Sequence, residues 1–282
     1  MARAACSRLG TGSRSRRAHM AGDAEELCNQ LNHQRVVNQA VHARQLFFLL
    51  VACLLTPFSV SAGSLSVTPI RIELSSAQRS VALTVRNGGD QSTVVQAQLV
   101  AWSQVDNDDR LEPTTDIFAS PPIFTVAPGA SQIVRIALRR APDAARERSY
   151  RVLVTEVPGK PQPESTGAQF ALKISLPIFV DATGAKTSPQ LEWSGSRTAK
   201  GELTLIAVNT GTKHIQVKAI EVTKDGSDPD ARFAGLWYIL PGQRRTVTIK
   251  PSDGHTIAAD RVRIKAETDA GPLAADVVLE QR

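Results

Sequence analysis

The sequence predicts an all-β protein of two tandem immunoglobulin-like sandwiches, and three observations predict it. Apolar and polar residues alternate with period two through most of the chain after residue 63. Glycine, proline, asparagine and aspartate interrupt that pattern at the intervals of short strands. No segment there keeps a helical period over three turns, and Pro142 to Arg148 is short enough for a loop or a single turn.

Residues 1–62 read as a leader. The run Leu46 to Leu55 is apolar and uncharged, Arg44 precedes it, and Val60-Ser61-Ala62 follows with the small residues that suit a signal peptidase. It is short for a bilayer span, so an export signal is the reading and a membrane anchor is not. The stretch before it is longer than an ordinary basic leader, and an over-extended start is the simplest account. Cys6, Cys28 and Cys53 all lie in the leader. The mature protein is therefore expected to have no disulfide, no cysteine metal site and no thiol nucleophile. Removing the leader's seven arginines and three acidic residues from totals of 33 and 27 leaves 26 basic against 24 acidic. That balance, with no basic stripe among aromatics, argues against nucleic acid as a partner.

Residues 63–183 form the expected first domain. Strand patterns run through Val81-Leu83-Val85, Val95-Ala97-Leu99-Ala101, Ile133 to Leu138, Val152 to Val154 and Phe170 to Ile174. Turns fall at Asn87 to Asp90, Asp106 to Asp109, Pro128-Gly129 and Pro158-Gly159. About seven strands between Leu65 and Val180 suit an immunoglobulin-like sandwich. Residues 184–282 form the second domain, with strands at Gln190–Trp193, Glu202–Val208, Ile215–Val222, Leu236–Ile239, Arg244–Ile249, Arg261–Glu267 and Ala274–Glu280. Pro128-Gly129 and Pro241-Gly242 each make a tight turn feeding a late strand.

Catalysis has little to stand on, and the expectation is a protein that is not an enzyme and uses no cofactor or metal. His214 and His255, the histidines of the mature chain, lack ligand neighbours at metal spacing and read as exposed polar residues. Asp106, Asp108 and Asp109 lack the rest of a calcium loop and read as a solvated hairpin tip. The segment Ala168 to Val180 is more informative. It is long for a strand, and Phe170, Leu172, Ile174 and Leu176 share one face, with Lys173 and Ser175 on the other. A core strand and an exposed edge that lends apolar side chains to a partner both fit this pattern.

Several segments carry a resemblance. They are Val67-Thr68-Pro69-Ile70-Arg71-Ile72, Val95-Gln96, Trp102-Ser103-Gln104, Pro113-Thr114 and Ser120-Pro121-Pro122-Ile123-Phe124. Ala127-Pro128-Gly129, Gln132 to Arg135, Tyr150-Arg151-Val152, Glu156-Val157-Pro158 and Thr268 to Pro272 complete the set. Through them the mature chain resembles the periplasmic chaperones of chaperone–usher pili, the PapD-like group, and in particular its archaic branch. The resemblance implies two immunoglobulin-like domains at an angle with a cleft between them. It implies a periplasmic protein that stabilises pilus or fimbrial subunits by donor-strand complementation and passes them to an outer-membrane usher. The donor residues would be Ala168, Phe170, Leu172, Ile174 and Leu176. Arg71 would anchor the subunit's C-terminal carboxylate, with Lys173 as a weaker second anchor, because no basic residue stands in Ser175 to Phe179. Arg135, Glu156 and Asp269 would form an ion network between the domains. The exposed edge also offers a route to self-association. The alternative is a secreted structural or adhesive protein of two immunoglobulin-like modules without a client.

Overall fold

The computed structural model describes residues 65–158, 171–184, 187–198, 201–224, 229–252 and 257–281. The readings of the leader, of Ala168 and Phe170 and of His255 lie outside the described residues.

Ten strands build the first sandwich: β1 (Leu65–Thr68), β2 (Ile72–Leu74), β3 (Ser80–Asn87), β4 (Thr93–Val105), β5 (Asp108–Pro113), β6 (Ile117–Ser120), β7 (Ile123–Val126), β8 (Ser131–Leu138), β9 (Arg148–Val157) and β10 (Lys173–Val180). One sheet runs β1-β3-β8-β6 and the other β2-β10-β9-β4-β5, with β7 also on β4. The count exceeds the seven expected for physical reasons. Pro69 has no N–H to give the β1–β3 ladder, so that pairing stops at Thr68 and the chain joins the opposite sheet as β2. The short strands β5, β6 and β7 divide a region where exposed residues hide the alternation. Inward residues such as Leu83, Val85, Val134, Ile136, Val152, Val154 and Ile178 are wholly buried and form one core.

Seven strands build the second sandwich: β11 (Leu191–Arg197), β12 (Leu203–Asn209), β13 (Ile215–Thr223), β14 (Ala231–Ile239), β15 (Arg244–Ile249), β16 (Arg261–Thr268) and β17 (Gly271–Gln281). Their order is β14-β13-β16-β17-β11-β12-β15, and β17 joins the halves by pairing first with β16 and then with β11. Leu203, Leu205, Val217, Ile220 and Ile264 fill its core.

The two sandwiches share a corner. Gly129 and Gly242 adopt φ of 69° and 75°, which glycine tolerates, and each closes a turn. Ala130 N–H donates to the Ala127 carbonyl at 3.1 Å, and Gln243 N–H to the Leu240 carbonyl at 3.0 Å. A buried asparagine ties each turn to a neighbouring strand end. Asn87 Nδ2 donates to the carbonyls of Gln91 and Val126, and its Oδ1 accepts Gly89 N–H. Asn209 Nδ2 donates to the carbonyls of Lys213 and Ile239, and its Oδ1 accepts Gly211 N–H. Alanine at either position leaves several buried backbone groups without partners, so Asn87→Ala and Asn209→Ala should each lower stability by about 1–3 kcal/mol in urea unfolding. Unchanged midpoints would show that the corners are not structural.

Candidate functional site

The strand β10 is paired unequally. Along one side all of Lys173–Val180 pairs antiparallel with β9. Along the other, β2 is three residues long and reaches Ile178, Phe179 and Val180 alone. From Lys173 to Pro177 that second edge has no strand partner among the described residues. Contact with β9 begins one residue before the strand itself, because Glu156 N–H donates to the Leu172 carbonyl at 2.9 Å and Glu156 Oε2 accepts Leu172 N–H at 3.0 Å. The described strand is thus shorter than the expected Ala168 to Val180. Leu172 is 37% exposed, and Ile174 is partly buried against the core. Leu176 must be corrected as a donor residue: at 6% exposure it already belongs to its own domain's core.

Two arginines bracket the point where the open edge ends. Arg71 directly precedes the Ile72–Ile178 pair and so sits level with Pro177, while Arg151 pairs with Pro177 from the opposite strand. With strands about 4.8 Å apart, their Cα atoms lie roughly 10 Å from one another. Arg71 donates to Asp269 Oδ2 at 2.9 Å and Glu73 Oε1 at 2.7 Å. Burial works against its charge, but Glu73 and Asp269 outweigh that and raise it above the ordinary arginine value. The Arg151 guanidinium lies over Trp102, 3.9 Å from the ring centre, and donates to Ser175 Oγ and Asp109 Oδ2 at 3.2 and 3.3 Å. Burial lowers its pKa, Asp109 opposes the shift and Arg245 adds to it. Asp109 also accepts Arg245, so two guanidiniums share one carboxylate. Arg151 Nε and Trp102 Nε1 are buried without partners. The Tyr238 phenol feels both arginines, although burial dominates and raises its pKa.

Sequence reasoning missed Arg151 as a site residue because it searched one strand for a second basic group and the fold supplies it from the neighbour. The available signal was Arg151 within Tyr150-Arg151-Val152 on an adjacent strand. Lys173 is a correction: it stands at the far end of the open segment, roughly 13 Å along the strand from Pro177, and is exposed.

The expected ion network is also corrected. Arg135 donates to Ser80, Glu156 caps Leu172, and Asp269 takes Arg71, so the three do not meet. The seam between the domains uses other groups. His214 is not exposed: its ring stacks on Phe179 at 3.4 Å and 5°, with Nδ1 2.8 and 2.9 Å from the two oxygens of Glu147. Glu147 Oε1 also accepts the His214 N–H. Nε2 of His214 is 3.8 Å from Asp269 Oδ2. Lys213 reaches Asp181 at 3.0 Å; that bond outweighs burial and raises the lysine pKa. Trp102, Phe179 and Leu240 make a small buried cluster at the same seam, with Tyr238 packed against it.

Two sandwiches, with a strand left open on one edge and two arginines at the foot of that edge, are the features that comparison with known proteins bears on. Residues 64–185 match the pili and flagellar-assembly chaperone family, PapD N-terminal domain. The first sandwich is therefore a PapD-type chaperone domain. The chaperone protein PapD of Escherichia coli is 26% identical over 216 residues, which cover 74% of this chain and 85% of that protein. The fold is shared with the chaperone in the CsuC–CsuE chaperone–tip subunit pre-assembly complex from the archaic chaperone–usher Csu pili of Acinetobacter baumannii. That match has a TM-score of 0.59 at 21% identity and covers 77% of this chain and 99% of that one. A Salmonella enterica complex of SafA pilin with the SafB chaperone matches with a TM-score of 0.53 at 18% identity, covering 77% of this chain and 98% of that chain. These relatives do not favour a structural or adhesive module.

The seam can be tested apart from any partner. His214→Ala removes the ring partner of a wholly buried carboxylate together with the Phe179 stack, and should cost about 3 kcal/mol or more in urea unfolding. A cost under about 1 kcal/mol would mean that the seam is held elsewhere.

Proposed function

We propose that this chain is exported to the periplasm with loss of its leader, residues 1–62, and there holds pilus or fimbrial subunits by strand donation before delivering them to an outer-membrane usher. The observation that carries the reading is the open edge of β10 from Lys173 to Pro177. An unpaired edge presents backbone donors and acceptors at the spacing of a missing strand, and a subunit with an incomplete sandwich supplies the complementary row. Leu172 and Ile174 are the described donor residues that such a guest would cover, and Ala168 and Phe170, which precede them in the sequence, are the proposed others. Full burial of one such side chain contributes about 1.5–3 kcal/mol. The same edge can pair with a second copy of the chain when no subunit is present.

The strand of the guest would end level with Pro177, between Arg71 and Arg151. A terminal carboxylate there suits two guanidiniums, each able to present paired N–H donors. It would also relieve the excess positive charge at Arg151 and supply an acceptor for buried N–H groups that lack one. Arg71 and Arg151 are accordingly the proposed carboxylate anchors, and Asp269 holds the first of them in place.

Co-expression of this chain with a pilus subunit whose sandwich lacks a strand, followed by co-purification from the periplasm, tests the reading. Arg71→Ala and Arg151→Ala should each cut recovered subunit about tenfold or more while the chaperone stays folded. Leu172→Ser with Ile174→Ser should leave the subunit to be degraded. Recovery at the wild-type level from the arginine variants would remove those residues from the site.

A further inference from the structure

The hairpin joining β4 to β5 crosses from the first domain onto the second. Asp106 and Asn107 form its turn with φ of 51° and 76°. The tip is exposed to solvent, as expected, and the Asn107 amide also docks on β15. Its Oδ1 accepts Thr246 N–H at 2.8 Å and its Nδ2 donates to the Thr246 carbonyl at 3.1 Å, as a neighbouring strand would. Arg245 donates to the Asn107 carbonyl. Just inside the tip, Gln104 accepts Leu240 N–H at 3.1 Å and donates to the Tyr238 carbonyl at 2.9 Å.

Asp109 is the hub of this contact. Its Oδ1 accepts Arg245 from the second domain and, at 3.2 Å, Gln104, while its Oδ2 accepts Arg151 at 3.3 Å. Arg151 and Arg245 are both largely buried, at 16% and 15% side-chain exposure, so neither can turn to water for compensation. An arginine with five donors and a long stem needs a fixed acceptor to hold one orientation. Here Asp109 supplies it on one side and the Trp102 face supplies it on the other.

We propose that Asp109 is a positioning residue for carboxylate capture by Arg151, and that Arg245 sets Asp109, so that this half of the anchor is assembled only when the second domain is seated on the hairpin. The inference rests on the reading of Arg151 as an anchor. Arg71 is tied to the second domain in a parallel way, through Asp269. Each anchor arginine thus meets a carboxylate bridging to the second domain or carried by it, although Glu73 of the first domain also holds Arg71, so seating of the second domain bears most on Arg151.

The test uses the intact protein and acetate as the probe, with acetamide as the uncharged control. The Nε–H resonance of Arg151 is assigned by its loss in Arg151→Lys and followed by nitrogen–proton NMR. In the wild type, acetate and not acetamide should move this signal. In Arg245→Met and in Asp109→Asn the acetate affinity should fall about tenfold, with the dispersed amide spectrum retained, and Asp109→Glu should recover part of the loss. Unchanged affinity in both Arg245→Met and Asp109→Asn would overturn the proposal while leaving Arg151 as an anchor. A wild-type signal that ignores acetate would overturn the anchor reading itself, and the positioning role with it.

Discussion

The structure turns on a mismatch in length between β2 and β10. A three-residue strand cannot cover an eight-residue neighbour, and the remainder of β10 is left with a row of backbone groups facing outward. Edges of this kind invite pairing with any extended chain, and folded proteins ordinarily blunt them. The free side of β15 is blunted here by the Asn107 amide. The edge of β10 is not, and its row of donors stops at Pro177, which has no N–H to offer.

Where the open edge stops, charge takes over from pairing. Arg71 and Arg151 stand on either side of Pro177 because the parallel register of β2 and the antiparallel register of β9 bring them level with it. Neither arginine is loose. Each is held by a carboxylate tied to the second domain, and Arg71 is held also by Glu73 of its own strand region. The seam of His214, Glu147 and Phe179 fixes the same interface from behind. The open edge belongs to the first sandwich, whereas the two arginines at its foot are held by contacts that reach both domains.

Much of this was legible in the sequence, for reasons that particular residues make clear. Period-two alternation marked Ser80–Asn87, Ser131–Leu138 and Arg244–Ile249 because one face of each meets a core. The Pro-Gly turns announced the shared corner, since φ above zero demands glycine there. Short strands such as β5, whose residues are all exposed, carried no alternation to read. The site divided along the same line. Arg71 and the alternation of Leu172 and Ile174 each show in a local stretch of chain, and the proposal that names them starts there. Arg151 and the pair Glu147–His214 depend on which strands become neighbours, which spacing along one segment does not encode. Leu176 was misplaced because alternation gives the face of a strand but not where its own core ends.

The central claim is that the far edge of β10 is open in the free protein and filled by a guest strand. Amide hydrogen exchange along Lys173 to Leu176, measured on the chain alone and on its complex with a pilus subunit, tests it most directly. The account predicts that alternate amides, those turned away from β9, exchange freely in the isolated chain and become protected in the complex. Protection of every one of these amides in the isolated monomer, with no change on binding, would contradict it.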